Sequence, residues 1–494
     1  MNSLKKLLNC QQEIFNIQYT INILRWELKI STPKKAENDL INLITHYESK
    51  LFELETSNDY GNLLNEGLVD EEFKKIEEPE QRYILNLLRH YEENKKVPSD
   101  FYESYIELKS KSNIVWKNAK EQNNYEMFKP YLKQIIEMTK QYYRYIDSDS
   151  KNLYDVMLNH YETGVTSSVI DELFDKLKEK LLPLIPKGKV EKSSNIKIEY
   201  TNQELISCAK FLLEYIGFDT EKGILGIYPH GFTEKICTND IRIAFEQTND
   251  PIEFVTTIIH EGGHGIFEQN IKENLSKYGN TIIDNLYALH ESQSRFYENI
   301  LGRNINFWIP IYDEVKEKLH LDISLNEFVS SLNKAIPNFK RTQADELTYC
   351  MHIILRYEIE KAIFNDEVAV DDLPNIWNQK TKEYLGLEIE NDSDGLMQDI
   401  HWSEGNFGYF PSYLLGTIYD GMFIKAIEKD LGNINNLLKE GKIKEITNYL
   451  IEKIYKNGGA YTSIEIINNL CNSEISIEPI VNYFESKYSK NDNQ

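Results

Sequence analysis

Two histidines in the stretch TTIIHEGGHGIFEQ, His260 and His264, stand four residues apart, and Glu261 directly follows the first. On an α-helix, residues i and i+4 share a face, so both imidazoles can reach one metal ion. Glu261 is rotated by roughly 100° from His260. It would sit beside such an ion without pointing at it, which is where a general base for an activated water belongs. Catalytic zinc takes three protein ligands and keeps one open position, so a third donor, carboxylate or imidazole, is expected. Glu291, in LYALHESQSRFYEN, follows far enough downstream for the first helix to end, turn and be answered by a second. Glu268, one turn past His264, is the competing donor and would need an ion further along the helix axis. No thiolate lies near, which marks the site as catalytic rather than structural in type.

The elements that must carry these groups can be read from the flanking pattern. Phe254, Val255, Ile258, Ile259 and Ile266 gather opposite the histidine pair, so this helix buries one side and turns the histidines into a cleft. Ile282, Ile283, Leu286 and Leu289 supply the apolar positions of the expected Glu291 helix. Upstream, residues 223–245 (GILGIYPHGFTEKICTNDIRIAF) lose helical rhythm. Ile241, Ile243 and Phe245 fall on one side of a strand, with Arg242 and Ala244 on the other. Most of the remaining chain reads as helix: Leu4, Leu7, Leu8, Ile14 and Ile17 keep a 3.6-residue rhythm, as do Leu40, Leu43, Leu51 and Leu54. Only 23 Gly and 13 Pro interrupt it, while 32 Tyr and 21 Phe suit wide core faces. Polar breaks fall at 183–197 and near 391–395.

The 494 residues are 41% hydrophobic and 27% charged, with a mean hydropathy of -0.50, which fits a globular chain with a sizeable core and excludes a disordered or collagen-like one. The 79 Asp and Glu exceed the 55 Lys and Arg, giving a net charge of -24. Such a surface repels phosphate backbones and anionic lipid, so neither nucleic acid nor membrane is an expected partner. Five scattered cysteines (Cys10, Cys208, Cys237, Cys350 and Cys471), with no CxxC pair, argue against a disulfide framework. With no secretory apolar run at the N-terminus and no span of membrane length, a cytoplasmic location is expected.

The wider pattern resembles the carboxypeptidase Taq family of zinc metallocarboxypeptidases. Its blocks occur in family order: YDVMLNHYETG at 154–164, HGFTEKICTNDIRIAF at 230–245, HEGGH at 260–264, HESQSR at 290–295, RTQADELTYCMHIILRYE at 341–358 and GLMQDIHWSEGNFGYFPSYLLG at 395–416. There are departures. The family's DxRxT reads Asp240-Ile241-Arg242-Ile243-Ala244, its His-Pro-Phe reads His230-Gly231-Phe232, its IRxxAD begins with Lys340, and the stretch around Trp26-Glu27 matches weakly.

The resemblance implies a mainly α fold, with two helical walls around a deep cleft and a small β-sheet next to the HExxH helix. It implies one catalytic unit over 1–494: a mostly helical part at 1–185, a metal-site and substrate-cleft core at 198–416, and C-terminal helices at 417–494. It implies zinc, with cobalt as the alternative ion, on His260, His264 and Glu291, and Glu261 as base. Arg341 matches the arginine that receives the substrate carboxylate, a task suited to a bidentate guanidinium. Tyr413, with Tyr409 behind it, is the oxyanion donor. His230 lies in a substrate-side block, and His401 either donates to substrate or caps a helix. Asp240 and Arg242 are read as a scaffolding pair. Broad specificity, peptide substrates with a free C-terminus and a homodimer follow from the same likeness. The rival readings are a zinc oligoendopeptidase of similar cleft fold and a metal-stabilised helical scaffold without activity.

Overall fold

A computed structural model describes residues 2–185, 196–276 and 286–489. Ile282 and Ile283, and most of the 183–197 break, lie outside the described residues. Helices dominate and a three-stranded sheet is the main β element, so the mainly α architecture expected from sequence is the one found. The strands β1 (Gly223–Ile227), β2 (Phe232–Cys237) and β3 (Asp240–Phe245) run in the order β1-β3-β2. β1 pairs parallel with β3, and β2 pairs antiparallel with it, in a register that sets Thr233 opposite Ile243 and Glu234 opposite Arg242.

Alternation decides which face of β3 goes where. Ile241, Ile243 and Phe245 are buried in the main core, toward the HExxH helix (Pro251–Gln269). The opposite face is also covered: Ala244 and Ile236 are sealed under Trp26 of the first helix (Ser3–Ile30), and Phe232 packs on the same indole. The first helix is pinned to β2 by Asn22, which donates to the Lys235 carbonyl at 2.8 Å. Trp26 therefore acts as a lid on the sheet. Asp240 and Arg242 form the two-bond fork expected of a scaffolding pair, at 3.0 and 2.8 Å.

The HExxH helix starts where local chemistry places it. Asp250 caps its first turn by accepting from the Ile252 and Glu253 amides, and Pro251 occupies N1. Its apolar stripe, Phe254, Val255, Ile258, Ile259 and Ile266, is buried as the periodicity requires. The leucine rhythm at Leu40, Leu43, Leu51 and Leu54 falls in the expected helix, Glu37–Glu55, where Ile44 is buried, Leu40, Leu51 and Leu54 are partly buried against the first helix and Leu43 is exposed.

Candidate metal centre and substrate site

The short Glu291 helix (Tyr287–Arg295) lies between the HExxH helix and the long helix Phe410–Leu431, which carries Tyr413. Glycine allows both approaches. A Cβ at Gly263 would stand 2.7 Å from the Ser294 Cα and 2.8 Å from the Gln293 carbonyl, and one at Gly416 would stand 2.9 Å from the Ala288 carbonyl. Backbone meets backbone at both places, so any side chain would push Glu291 away. The first turn of the Glu291 helix has no cap of its own; Glu162 supplies one by accepting from the Ala288 amide.

This packing brings His260, His264 and Glu291 together, with potential ligand atoms all within 4.8 Å of one another. His264 Nε2 stands 3.5 Å from Glu291 Oε2, and each of the three side chains keeps 13 to 23% of its surface in solvent. The surroundings favour a cation. Burial lowers the His260 pKa, but the Glu298 hydrogen bond and the carboxylates of Glu291 and Glu261 outweigh it and raise it to about 9. Burial likewise opposes ionisation of Glu291, yet His264, His260 and Arg295 hold its carboxyl down at about 2. His264 is pushed to about 4, chiefly by burial and the neighbouring His290, and so presents a neutral imidazole. Two imidazoles and an ionised carboxylate form a donor set that suits a divalent ion.

Glu268 does not join this cluster. Lys235 lies 2.6 Å and His290 3.2 Å from its two oxygens, and the His290 ring stacks on His264 at 4.4 Å. Glu261 is buried at the cluster's edge. Thr233 of β2 donates to its Oε2 at 2.7 Å, while the other oxygen faces Gly231, where a Cβ would come within 3.1 Å of it. Burial raises the Glu261 carboxyl above the usual range. His230 is exposed beside Gly231, against Tyr228.

Sequence reasoning missed Glu298. It sits on a π-helical turn (Phe296–Leu301) directly after the Glu291 helix and meets His260 Nδ1 at 3.0 Å, while Arg303 holds its other oxygen. A carboxylate behind an imidazole fixes the ring so that Nε2 faces inward. Its spacing of seven from Glu291, two helical turns on one face, was the available signal. Thr233 carried none beyond lying in a strand.

The second half of the site is a guanidinium cluster. Arg341 donates from Nε and Nη2 to Asp399 Oδ1 at 3.1 and 2.9 Å and from Nη1 to the Tyr349 hydroxyl at 2.8 Å. Arg356 binds Asp399 Oδ2 and the His352 carbonyl and is fully buried. Two guanidiniums thus share one carboxylate, which leaves one positive charge over. Lys340 points elsewhere, to Asp394. The 398–399 block fixes the loop, because Gln398 accepts from the Arg341 amide and donates to the Phe339 carbonyl. Asp345 of the Ala-Asp pair is the N-cap of the helix Glu346–Phe364.

Tyr413 lies beneath Arg341, with its ring centroid 4.9 Å from the guanidinium carbon, and its hydroxyl is 3.3 Å from His401 Nε2. Tyr409 packs edge-on against Tyr413 at 5.1 Å and also meets Tyr161 and Tyr287. His401 Nε2 meets the Tyr413 hydroxyl and its Nδ1 is buried without a hydrogen-bond partner, so neither nitrogen caps a helix end among the described residues. Burial, with Arg341 and Arg356 nearby, keeps this imidazole neutral, at about 3. Glu360 anchors the same loop from below, accepting from Trp402 Nε1 at 2.7 Å, the Gly408 amide at 2.8 Å and the Tyr154 hydroxyl at 3.0 Å.

Known proteins share both the sequence and this architecture. The family model for the carboxypeptidase Taq (M32) metallopeptidases matches residues 6–488. Carboxypeptidase 1 of Bacillus subtilis is 36% identical over 496 residues, 98% of each chain. Thermostable carboxypeptidase 1 of Thermus thermophilus is 30% identical over 415 residues, 81% of each chain. A solved Pyrococcus furiosus carboxypeptidase superposes with a TM-score of 0.91 at 27% identity, covering 99% of both chains. The chain belongs to the carboxypeptidase Taq family of metallopeptidases.

Proposed function

We propose that this member of the family is a zinc-dependent carboxypeptidase of broad specificity that releases single residues from the free C-terminus of peptides. The observation that carries the reading is the surplus positive charge of the Arg341–Arg356–Asp399 cluster, tied through Tyr349 to the end of the Glu291 helix. Arg341 donates to the Tyr349 hydroxyl, and Arg295, one turn beyond Glu291, covers the same ring. A site that cuts internally has no need of a fixed cation there; one that reads a terminal carboxylate does.

His260, His264 and Glu291 would hold the ion, with cobalt as the alternative to zinc. When bound, the ion supplies Lewis-acid polarisation of the last peptide carbonyl and lowers the pKa of water. Glu261 removes the proton of the attacking water and delivers it to the leaving amine; its raised affinity for protons, from burial, suits both halves of that transfer. Thr233 holds one oxygen of that carboxylate and leaves the other, on the Gly231 side, to carry the proton. Tyr413 donates to the developing oxyanion, with Tyr409 packed behind it and neutral His401 available to orient its hydroxyl. Arg341 receives the terminal carboxylate with the two Nη hydrogens that Asp399 and Tyr349 leave free, which sets cleavage one residue in. His230, at the rim, meets the substrate on its N-terminal side.

No helix among the described residues is long and apolar enough to cross a membrane. With the acidic surface and unpaired cysteines this supports a cytoplasmic peptide hydrolase without nucleic-acid or membrane partners, and family likeness supports a homodimer. Mass spectrometry of matched free-acid and amidated peptides digested by the zinc-loaded protein tests the reading. Free-acid peptides should lose residues one at a time while amidated ones persist, and Glu261→Gln should lower the rate at least ~100-fold without loss of zinc. Internal cuts in amidated peptides would make it an endopeptidase instead.

A further inference from the structure

We propose that Arg295 is a second guanidinium for the substrate's terminal carboxylate, sharing the Tyr349 side chain with Arg341; the proposal rests on the carboxypeptidase reading above. Arg295 lies one helical turn after Glu291 and so on the same face. It is 5% exposed, yet no carboxylate lies within ion-pair distance of it among the described residues. The other two buried arginines among the described residues, Arg341 and Arg356, both hold Asp399. A desolvated cation whose acids act only from a distance is left with guanidinium hydrogens unmatched by a direct ion pair, which an anionic ligand can satisfy.

The way Arg295 is held shows which part of it remains available. Nε donates to Thr417 Oγ1 at 3.0 Å, and the flat face lies 4.1 Å above the Tyr349 ring. Stem and plane are thereby fixed. The terminal nitrogens have no protein acceptor among the described residues, and neither is sealed from solvent. Glu291, Glu298 and Asp420 act on Arg295 through space, but none of them forms an ion pair with it among the described residues, and burial raises the Asp420 carboxyl pKa.

Asp399 and Tyr349 take three of the five N–H groups of Arg341, so a carboxylate can receive at most one hydrogen from each of its Nη nitrogens. Arg295 adds a pair of Nη groups that no protein acceptor uses among the described residues. Tyr349 joins the two arginines, with Arg295 over its ring and Arg341 on its hydroxyl. A planar anion of carboxylate size bound beside Tyr349 would take hydrogens from both guanidiniums.

Calorimetric binding of 3-phenylpropionate and of its amide, neither of which has a peptide bond to a C-terminal residue, to the zinc-loaded enzyme tests this without turnover. Wild type should hold the acid more tightly than the amide. Arg295→Met should reduce that ratio roughly 10-fold or more while leaving amide affinity unchanged. Thr417→Val, which removes only the Nε anchor, should reduce it less and keeps the test open should Arg295→Met fail to fold. A folded Arg295→Met that retains the wild-type ratio overturns the proposal. So does an equal loss for acid and amide, which would assign Arg295 to the oxyanion. If wild type itself does not prefer the acid, the carboxypeptidase reading fails, and Arg295 is not the cause.

Discussion

The two motif histidines are not equivalent. Glu298 grips His260 from behind through Nδ1, whereas the Nδ1 of His264 is buried without a hydrogen-bond partner and its ring is steadied by stacking on His290. Orientation of the first imidazole is electrostatic and of the second steric. Glu298→Gln separates charge from geometry, since an amide oxygen can still accept from Nδ1–H while the negative charge is gone. Zinc affinity should fall about 10- to 100-fold, the usual cost of losing such a carboxylate. Competition with a chromophoric chelator measures it, and unchanged affinity would show that Glu298 serves only Arg303. Of these residues the sequence displayed the ones whose spacing is local: His260, Glu261 and His264 on one helix, and Glu291 within reach. Thr233 stayed hidden because its role depends on strand packing, and Glu298, though seven residues from Glu291, because its contact with His260 depends on a π-turn.

At the level of elements, the site depends on how closely helices approach, and glycines set those distances. Gly262 and Gly263 are adjacent and each weakens the HExxH helix by roughly 1 kcal/mol relative to alanine, so replacement should stabilise an isolated helix. In the protein the two positions diverge. A Cβ at Gly263 meets the backbone of Ser294 and Gln293, whereas at Gly262 it meets the ends of Ile216 and Leu213, at 2.6 and 2.7 Å, which can rotate away. Gly263→Ala should therefore lower both stability, by ~1–3 kcal/mol, and zinc affinity, because the Glu291 helix must move. Gly262→Ala should cost stability with little change in zinc affinity. Thermal melts of metal-free protein and zinc titration of each variant distinguish them, and equal zinc losses would refute the packing argument. The sequence showed that a helix runs through HEGGH but not why its two middle residues are small, since that reason lies in the Glu291 helix. β3 was legible through its alternation. Its covering was not, because Trp26 lies more than two hundred residues upstream.

Across the whole molecule, the donors come from two helices already locked into one continuous core. That core joins the sheet, the Glu291 helix and the C-terminal helices through Phe423, Tyr455 and Phe484. The fold thus does not depend on the ion in the way a small zinc domain does. The guanidinium half is likewise built without it: Asp399, Arg341, Arg356 and Gln398 bind one another and the backbone. Removing the ion leaves Glu291 and Glu298 facing His260, with Arg303 on Glu298 and Arg295 near Glu291, so cations still offset both carboxylates. Chelation should consequently abolish activity while leaving the far-UV dichroism of a helical protein unchanged. The melting temperature should fall by no more than about 10 °C. Binding at a thousand-fold excess over Kd adds ~4 kcal/mol, and in a chain above 250 residues each kcal/mol moves the midpoint by roughly 2 °C. Zinc should restore both activity and midpoint without a refolding phase. Loss of helical signal on chelation would mean that the core does not hold the two donor helices in place, and that the ion is part of the fold itself.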